Sequence, residues 1–375
     1  VIRPGRDFSV LLTAHFLFFV NFSQLILLPK YLLFLGMSPS QTGIVMGTFS
    51  VSVLVALPAV GLLSEMISRR ILFMSGAFLM AVPTIVYPEI TGMTPVLFIL
   101  RMLQGIGFAC AFGVAGAIVS EAHENSDKAF FLGMLTVAGL LTQAVGPVLG
   151  EYLIRAFGYG ALFLSAFLFG IFSLCAAVFI RSGKSRSASE KKEISISYPM
   201  ITATGVLGVV FGSMVIFLPP YLMTCGVNDS SPFFLGFVLG GLLVWTAFYR
   251  IFRARRGRGL WIFMSALLVI PLLYLGASDS LILFVISLLS GIGYGYLYPT
   301  LNAGMIDMNS QSKGMANALF VWSFNVGMLI ASVGFGFLCD RAGYQQAFWL
   351  TAAVGFMILV VSGLVFKENE LLSNN

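Results

Sequence analysis

The sequence predicts an all-α integral membrane protein, with twelve spanning helices arranged as two pseudo-symmetric six-helix bundles. Three observations carry that expectation. Of 375 residues, 58% belong to the set AVILMFWYC and only 10% are charged, where a soluble domain carries about 25% charged residues. Twelve apolar runs of about twenty residues, the length that crosses a hydrocarbon core, are separated by Pro, Gly and charge clusters. A glycine-containing helical pattern also recurs half a chain apart. The composition excludes a water-soluble fold, a disordered chain and a secreted disulfide scaffold.

The runs fall at 8–28, 41–63, 70–88, 95–120, 128–153, 157–180, 198–223, 232–252, 259–277, 281–306, 314–339 and 343–366. The first lacks a small-residue cleavage site and reads as a retained spanning helix rather than a signal peptide. An even number of crossings puts both termini on one side. Lys and Arg in short loops stay cytoplasmic. With a cytoplasmic N-terminus, 17 of the 21 Lys and Arg fall inside; Lys30, Arg155 and Arg341 fall outside, and Arg101 lies within a helix. The expected location is therefore the cell (inner) membrane, multi-pass, with cytoplasmic N- and C-termini. The net charge of +6 then reads as orientation against an anionic leaflet of the lipid bilayer, not as a nucleic-acid surface.

Between the sixth and seventh runs, Arg181 to Ser197 is the only long polar stretch. It is expected to be a flexible cytoplasmic linker joining an N-terminal bundle, 1–180, to a C-terminal bundle, 198–375. An internal repeat supports the division. Leu97-Phe98-x4-Leu103-x-Gly105-Ile106-Gly107-Phe108 returns 186 residues later as Leu283-Phe284-x4-Leu289-x-Gly291-Ile292-Gly293-Tyr294, and the same offset carries Arg69-Arg70 onto Arg255-Arg256. Two copies of a six-helix unit that rock about a site near the midplane give this pattern.

Small residues at every fourth position mark where helices in lipid can approach closely. Gly105, Ala109, Gly113 and Ala117 form one such stripe, and Ala138, Thr142, Gly146 and Gly150 another. Gly43 and Gly47, Gly236 and Gly240, and Ser323, Gly327 and Ala331 form others. The four cysteines, Cys110, Cys175, Cys225 and Cys339, stand at least 50 residues apart and read as buried small hydrophobes, with no metal or redox motif.

Three segments carry recognisable patterns. The second loop reads Gly61-Leu62-Leu63-Ser64-Glu65-Met66-Ile67-Ser68-Arg69-Arg70; the fourth helix holds Arg101-x2-Gln104-Gly105-x-Gly107; the fifth ends in Gly146-Pro147-Val148-Leu149-Gly150-Glu151. Over the whole chain these residues resemble the major facilitator superfamily of secondary transporters, whose loop motif is G-x-L-a-D-r-x-G-r-R/K and whose fourth-helix motif is R-x-x-q-G-x-g. Glu65, Met66 and Ser68 depart from the loop motif. The fifth-helix segment is similar to the G-P-x-x-G-G of the drug:proton antiporter (efflux) branch, with Glu151 in place of the last Gly.

The resemblance implies a gate latch at Gly61, Glu65, Arg69 and Arg70, where a carboxylate beside two bases bonds neighbouring helix ends. It links Arg101 to proton coupling. Independently, a charge well inside an apolar helix must face the protein interior, where a guanidinium can hold an anion or a carbonyl dipole, unless it is neutralised by backbone carbonyls or reaches the outer surface. The first helix has no carboxylate. It offers His15, which with an ordinary pKa near 6.5 can carry a proton or simply be a structural residue. Glu121, Glu151, Asp307 and Asp340 sit at helix ends and read as solvated caps. The cavity implied by resemblance includes Asn21, Gln24, Arg101, Gln104, Gln143, Tyr294, Tyr298, Asn302, Trp322 and Asn325. Thr142 and Ser213 stand near the same midpoints.

Polar and aromatic groups among apolar walls suit an amphipathic organic molecule. The expectation is a monomeric secondary-active exporter of small amphipathic compounds, drug-like or metallophore-like, working by alternating access as a proton antiporter and needing no cofactor or metal. An importer, a facilitator or a lipid flippase on the same fold stays open. A membrane enzyme or receptor is the reading from another class, but no HExxH, GxSxG or GxxxxGK[S/T] motif is present.

Overall fold

The computed structural model describes residues 4–122, 128–181, 195–246, 257–274, 279–309 and 313–365. Twelve helices follow one another: α1 (Asp7–Phe34), α2 (Pro39–Met66), α3 (Arg69–Glu89), α4 (Pro95–Ala122), α5 (Lys128–Phe157) and α6 (Tyr159–Ala177), then α7 (Tyr198–Thr224), α8 (Ser231–Thr246), α9 (Arg258–Tyr274), α10 (Ser280–Met308), α11 (Gly314–Ala342) and α12 (Tyr344–Val365). Among the described residues ten are long and apolar enough to cross a membrane, the described parts of α8 and α9 being shorter. Val55, Leu62, Met66, Phe157 and Leu281 are each more than two-thirds exposed. Such outward apolar side chains suit a surface bathed in hydrocarbon, with the core packed within each bundle.

Two compact units emerge, one of Val1–Met37 and Thr48–Ser189, the other of Ser38–Gly47 and Glu190–Asn375. The start of α2 thus groups with the second unit, where Gly43 lies against the Ser332 carbonyl of α11. This differs from an expected division at 180 and 198. Most of the linker expected at 181–197 lies outside the described residues.

The repeated Gly-x-Gly does the same work in each unit. A Cβ on Gly105 of α4 would lie 2.6 Å from the Phe49 carbonyl oxygen of α2, and one on Gly107 would lie 2.8 Å from the Gly76 oxygen of α3. In the second unit, Gly291 of α10 faces the Phe237 carbonyl of α8, and a Cβ on Gly293 would lie 2.6 Å from the Met264 oxygen of α9. Lipid tails are as apolar as leucine, so such helices associate by close packing and interhelical hydrogen bonds. Trp245 Nε1 donates to the Gly295 carbonyl at 2.8 Å, Trp261 Nε1 to Leu359 at 2.9 Å, and Ser173 Oγ to Ala14 at 2.7 Å.

Proline irregularities shape several helices. In α1, Pro29 cannot donate to the carbonyl four residues back, and a 3-10 turn occupies Leu25–Leu27. The helix nevertheless continues to Phe34, beyond the expected end at 28, so Lys30 lies inside a helix and not in an outer loop. In α11 the residues Ala331–Phe335 form a π-helical turn. Cys175 and Cys225 are exposed, which corrects the expectation of four buried thiols.

The backbone contact at Gly291 makes a sharp test. Gly291→Leu must displace Phe237 and lowers stability by about 1–3 kcal/mol through overpacking. Gly61, which has nothing within 4 Å of an added Cβ, tolerates Leu within about 0.5 kcal/mol. Thermal unfolding of both variants in detergent, followed by tryptophan fluorescence, separates them; equal shifts contradict the packing assignment.

Candidate functional site

In the first unit, Arg101 and Gln104 stand three residues apart and so share one face of α4. Arg101 is 3% exposed and Gln104 fully buried. The Arg101 Nη1 donates to Gln104 Oε1 at 2.9 Å, and the Tyr87 hydroxyl, from the end of α3, donates to the same oxygen at 2.7 Å. The guanidinium carbon lies 4.6 Å from the centroid of the Phe49 ring on α2. Among the described residues no carboxylate pairs with Arg101. Its charge is met by a carbonyl dipole, a phenol and an aromatic face, a weaker set than a carboxylate.

Tyr87 is itself fixed, because the Tyr31 hydroxyl donates to the backbone carbonyls of Tyr87 at 3.0 Å and Ile90 at 3.1 Å. On α1, Asn21 Nδ2 donates to the Ala166 carbonyl of α6 at 2.5 Å and Gln24 Nε2 to Ser165 Oγ at 3.0 Å. On these four side chains of α1 and α4, one buried polar atom each has no hydrogen-bond partner among the described residues: Arg101 Nε, Gln104 Nε2, Asn21 Oδ1 and Gln24 Oε1. Buried polar groups are nearly always satisfied. Unsatisfied donors and acceptors contributed by α1 and α4 are therefore groups that a ligand or water can bond.

An aromatic cluster lies within the same unit. Phe22, Phe49, Phe108 and Phe112 meet with centroids 5.0 Å (Phe22–Phe108), 5.7 Å (Phe49–Phe108) and 5.2 Å (Phe108–Phe112) apart. Phe49 carries Arg101 on its ring and so ties this cluster to the polar one. His15 is buried against Phe19, its Nε2 lying 3.9 Å from where a Cβ on Gly139 of α5 would sit. It shares no hydrogen bond with Arg101, and its Nδ1 is without a partner.

In the second unit, Tyr294 stacks on Phe211 at 4.9 Å and meets Tyr298 at 5.3 Å; Tyr298 in turn abuts Phe320 and Phe324. Asn302 is half-buried with its Oδ1 unbonded, Asn325 Nδ2 donates to the Val321 carbonyl of its own helix at 2.8 Å, and Trp322 is 45% exposed. Gln143 is half-buried on α5.

At the expected latch, Gly61 and Glu65 are exposed, and Arg69 donates to the Ala117 carbonyl at the end of α4 at 3.3 Å. Glu65 makes no ion pair among the described residues. Gly146 of α5 lies against Ser23, and a Cβ on Gly150 would lie 2.6 Å from Leu27 Cδ1, so this segment forms the α1–α5 contact. Pro147 lies between them inside the helix.

The expectation that Glu151 is a solvated cap is wrong. Glu151 is fully buried, and its Oε2 accepts from Lys30 Nζ at 2.6 Å. Residues that sequence reasoning missed are thus Lys30, Glu151, Tyr87 and Phe49. The signal available for the first two was a Lys following Pro29 and a Glu where the resembling motif has Gly.

The family model of the Major Facilitator Superfamily matches residues 10–308 and 233–374. An uncharacterised MFS-type transporter of Methanocaldococcus jannaschii, MJ1560, is 22% identical over 350 residues, covering 88% of this chain and 90% of the relative. The multidrug resistance protein MdtL of Escherichia coli O157:H7 is 23% identical over 356 residues, covering 88% and 83%. Among solved structures, the nucleoside transporter NupG superposes with a TM-score of 0.76 at 10% identity, covering 96% of this chain and all of the other, a likeness of fold. Twelve helices, a glycine repeat that packs alike in both units and this match over most of the chain lead to one statement: the chain belongs to the Major Facilitator Superfamily, multi-pass integral membrane secondary transporters and not enzymes.

Proposed function

We propose that this transporter exports small amphipathic organic compounds, drug-like or metallophore-like, by alternating access, and that outward movement of substrate is driven by inward movement of protons. The observation that carries this reading is Arg101. A single cation without an acidic partner, beside unsatisfied amide atoms and a wall of phenylalanines, suits a molecule with one polar or electron-rich end and an apolar body. It offers too little positive charge for a phosphorylated dianion. The name of the MdtL relative, a multidrug resistance protein, supports export, as does the Gly146-Pro147-Gly150 segment.

The distribution of Lys and Arg supports cytoplasmic termini in the cell membrane. In this orientation Gly61, Glu65, Arg69 and Arg70 act as a latch at the cytoplasmic end of α2, and His15 lies toward the cytoplasmic end of α1.

Purified protein in liposomes, with an imposed pH gradient and a pH-sensitive dye, tests the function against a panel of ethidium, a neutral steroid and a zwitterionic chelator. The expected result is substrate-dependent proton flux. In Arg101→Ala that flux falls by at least about tenfold, the effect of losing one charge-assisted hydrogen bond. Arg101→Lys keeps the charge but not the planar fork and recovers only part. Wild-type rates in Arg101→Ala contradict the site.

Orientation is tested separately at Cys225, which is exposed just beyond the end of α7. A membrane-impermeant maleimide added to intact cells labels Cys225 and spares the buried Cys110 and Cys339. Labelling only after the cells are opened reverses the topology.

A further inference from the structure

We propose that Glu151, held in an ion pair by Lys30, is the group that binds the coupling proton; this rests on the proton-driven reading above. Both charges lie within helices, with side chains 0% and 5% exposed, and the Nζ to Oε2 distance is 2.6 Å. No other ion pair among the described residues is buried on both sides.

Two local irregularities bring the pair together. The 3-10 turn at Leu25–Leu27 advances 120° per residue instead of 100°, so three residues rotate the rest of α1 by about 60° relative to a continuous α-helix. On α5, Pro147 interrupts the backbone ladder one turn before Glu151. Between these irregularities the helices touch through Gly146 on Ser23 and Gly150 on Leu27. The pair therefore sits at one end of a smooth contact with little side-chain interdigitation, a place where α1 and α5 can shift against each other.

The energetics favour a switch over a staple. A buried pair adds little net stability compared with apolar side chains of similar volume, yet separating its members takes from each buried charge the opposite charge in contact with it. A shift of α1 against α5 therefore requires that one charge be neutralised or reach water. In the step that follows, a proton from the aqueous phase bonds to Glu151 Oε2, giving the neutral acid, and the Nζ–H···Oε2 bond breaks. Lys30 keeps its proton and turns toward water. On return, the acid releases that proton and the pair re-forms, so each cycle takes up and releases one proton with no other reactant.

The surroundings of the carboxylate are defined. Besides Lys30, Tyr159 of α6 is within electrostatic reach of Glu151, and Arg155 follows one turn later on α5. Tyr31, next to Lys30, lies 5.1 Å from Tyr159 between ring centroids, and its hydroxyl is committed to the carbonyls of Tyr87 and Ile90. Glu89 at the end of α3 acts on Tyr31. Lys30 is in direct contact with the acid.

The ligand-free test is infrared difference titration of the full chain in lipid nanodiscs from about pH 5 to about pH 9. The expected signal is a protonated carboxyl stretch that disappears in Glu151→Gln and shifts in frequency in Glu151→Asp. A wild-type chain without this signal, or an unchanged signal in Glu151→Gln, overturns the assignment without any variant having to transport.

The transport arm uses liposomes and ethidium. Glu151→Gln keeps ethidium exchange in the absence of a gradient and loses accumulation driven by the pH gradient. If Glu151→Gln, or the double variant Lys30→Met/Glu151→Met, accumulates ethidium as the wild type does, the pair is structural and the inference fails while the antiport reading stands. If the wild type moves ethidium without protons, the antiport reading and the inference fail together. If it does not move ethidium, the exporter reading is contradicted for this cation, and the infrared arm decides on Glu151.

Discussion

The constraint on which this molecule depends is that its helices meet in an apolar solvent. Hydrocarbon provides no driving force for burying leucine, so helices hold together only where backbones can touch or hydrogen bonds cross. It also provides no hydration for a charge, so each ionised group within a helix must find its compensation from neighbours. The first consequence explains the Gly-x-Gly of α4 and α10, whose first glycine meets a carbonyl of α2 or α8 and whose second meets one of α3 or α9. The second explains why the few charges within the helices mark the places where chemistry is concentrated.

Those charges are compensated in two different ways. Arg101 is offered only dipoles and a ring: Gln104, Tyr87 and Phe49. That is enough to retain a guanidinium but leaves its charge formally unpaired, so a ligand with an electron-rich end gains from reaching it. Lys30 and Glu151 compensate each other by direct contact at 2.6 Å. The first arrangement suits binding, because a partner is lacking. The second suits switching, because the partner is present and must be left for the helices to move. In the proposed coupling, Arg101 serves the substrate and Glu151 the proton.

Much of the architecture was legible in the sequence because it depends on length and on small residues. Apolar runs separated by Pro, Gly and charge gave twelve helices of the right order, and the offset of 186 residues named the glycines that play equivalent roles. Arg101 stands out as a full charge inside an apolar run. The ion pair was illegible for a specific reason. The first apolar run closes at residue 28, just before Pro29, which leaves Lys30 to an outer loop. The helix in fact passes through a 3-10 turn and a proline and continues to Phe34, carrying Lys30 into the interior. Glu151 falls inside the run 128–153, and its place close to the end of that run reads as a solvated cap. The expected cavity mixed different environments, since spacing along one helix does not say which face its neighbours will cover. Trp322 ended largely exposed, while Tyr87, at the end of another helix, closes over Gln104.

The central claim is that substrate and proton movements are obligatorily linked by this chain. The measurement that tests it most directly is the balance point: the substrate gradient across a proteoliposome membrane at which net flux through the purified protein stops, determined at several imposed pH gradients with the membrane potential clamped. For one proton exchanged per substrate, the account predicts that the balancing gradient shifts about tenfold for each pH unit, since one unit is worth about 1.4 kcal/mol. A balance point that stays at equal substrate concentrations whatever the pH gradient contradicts it.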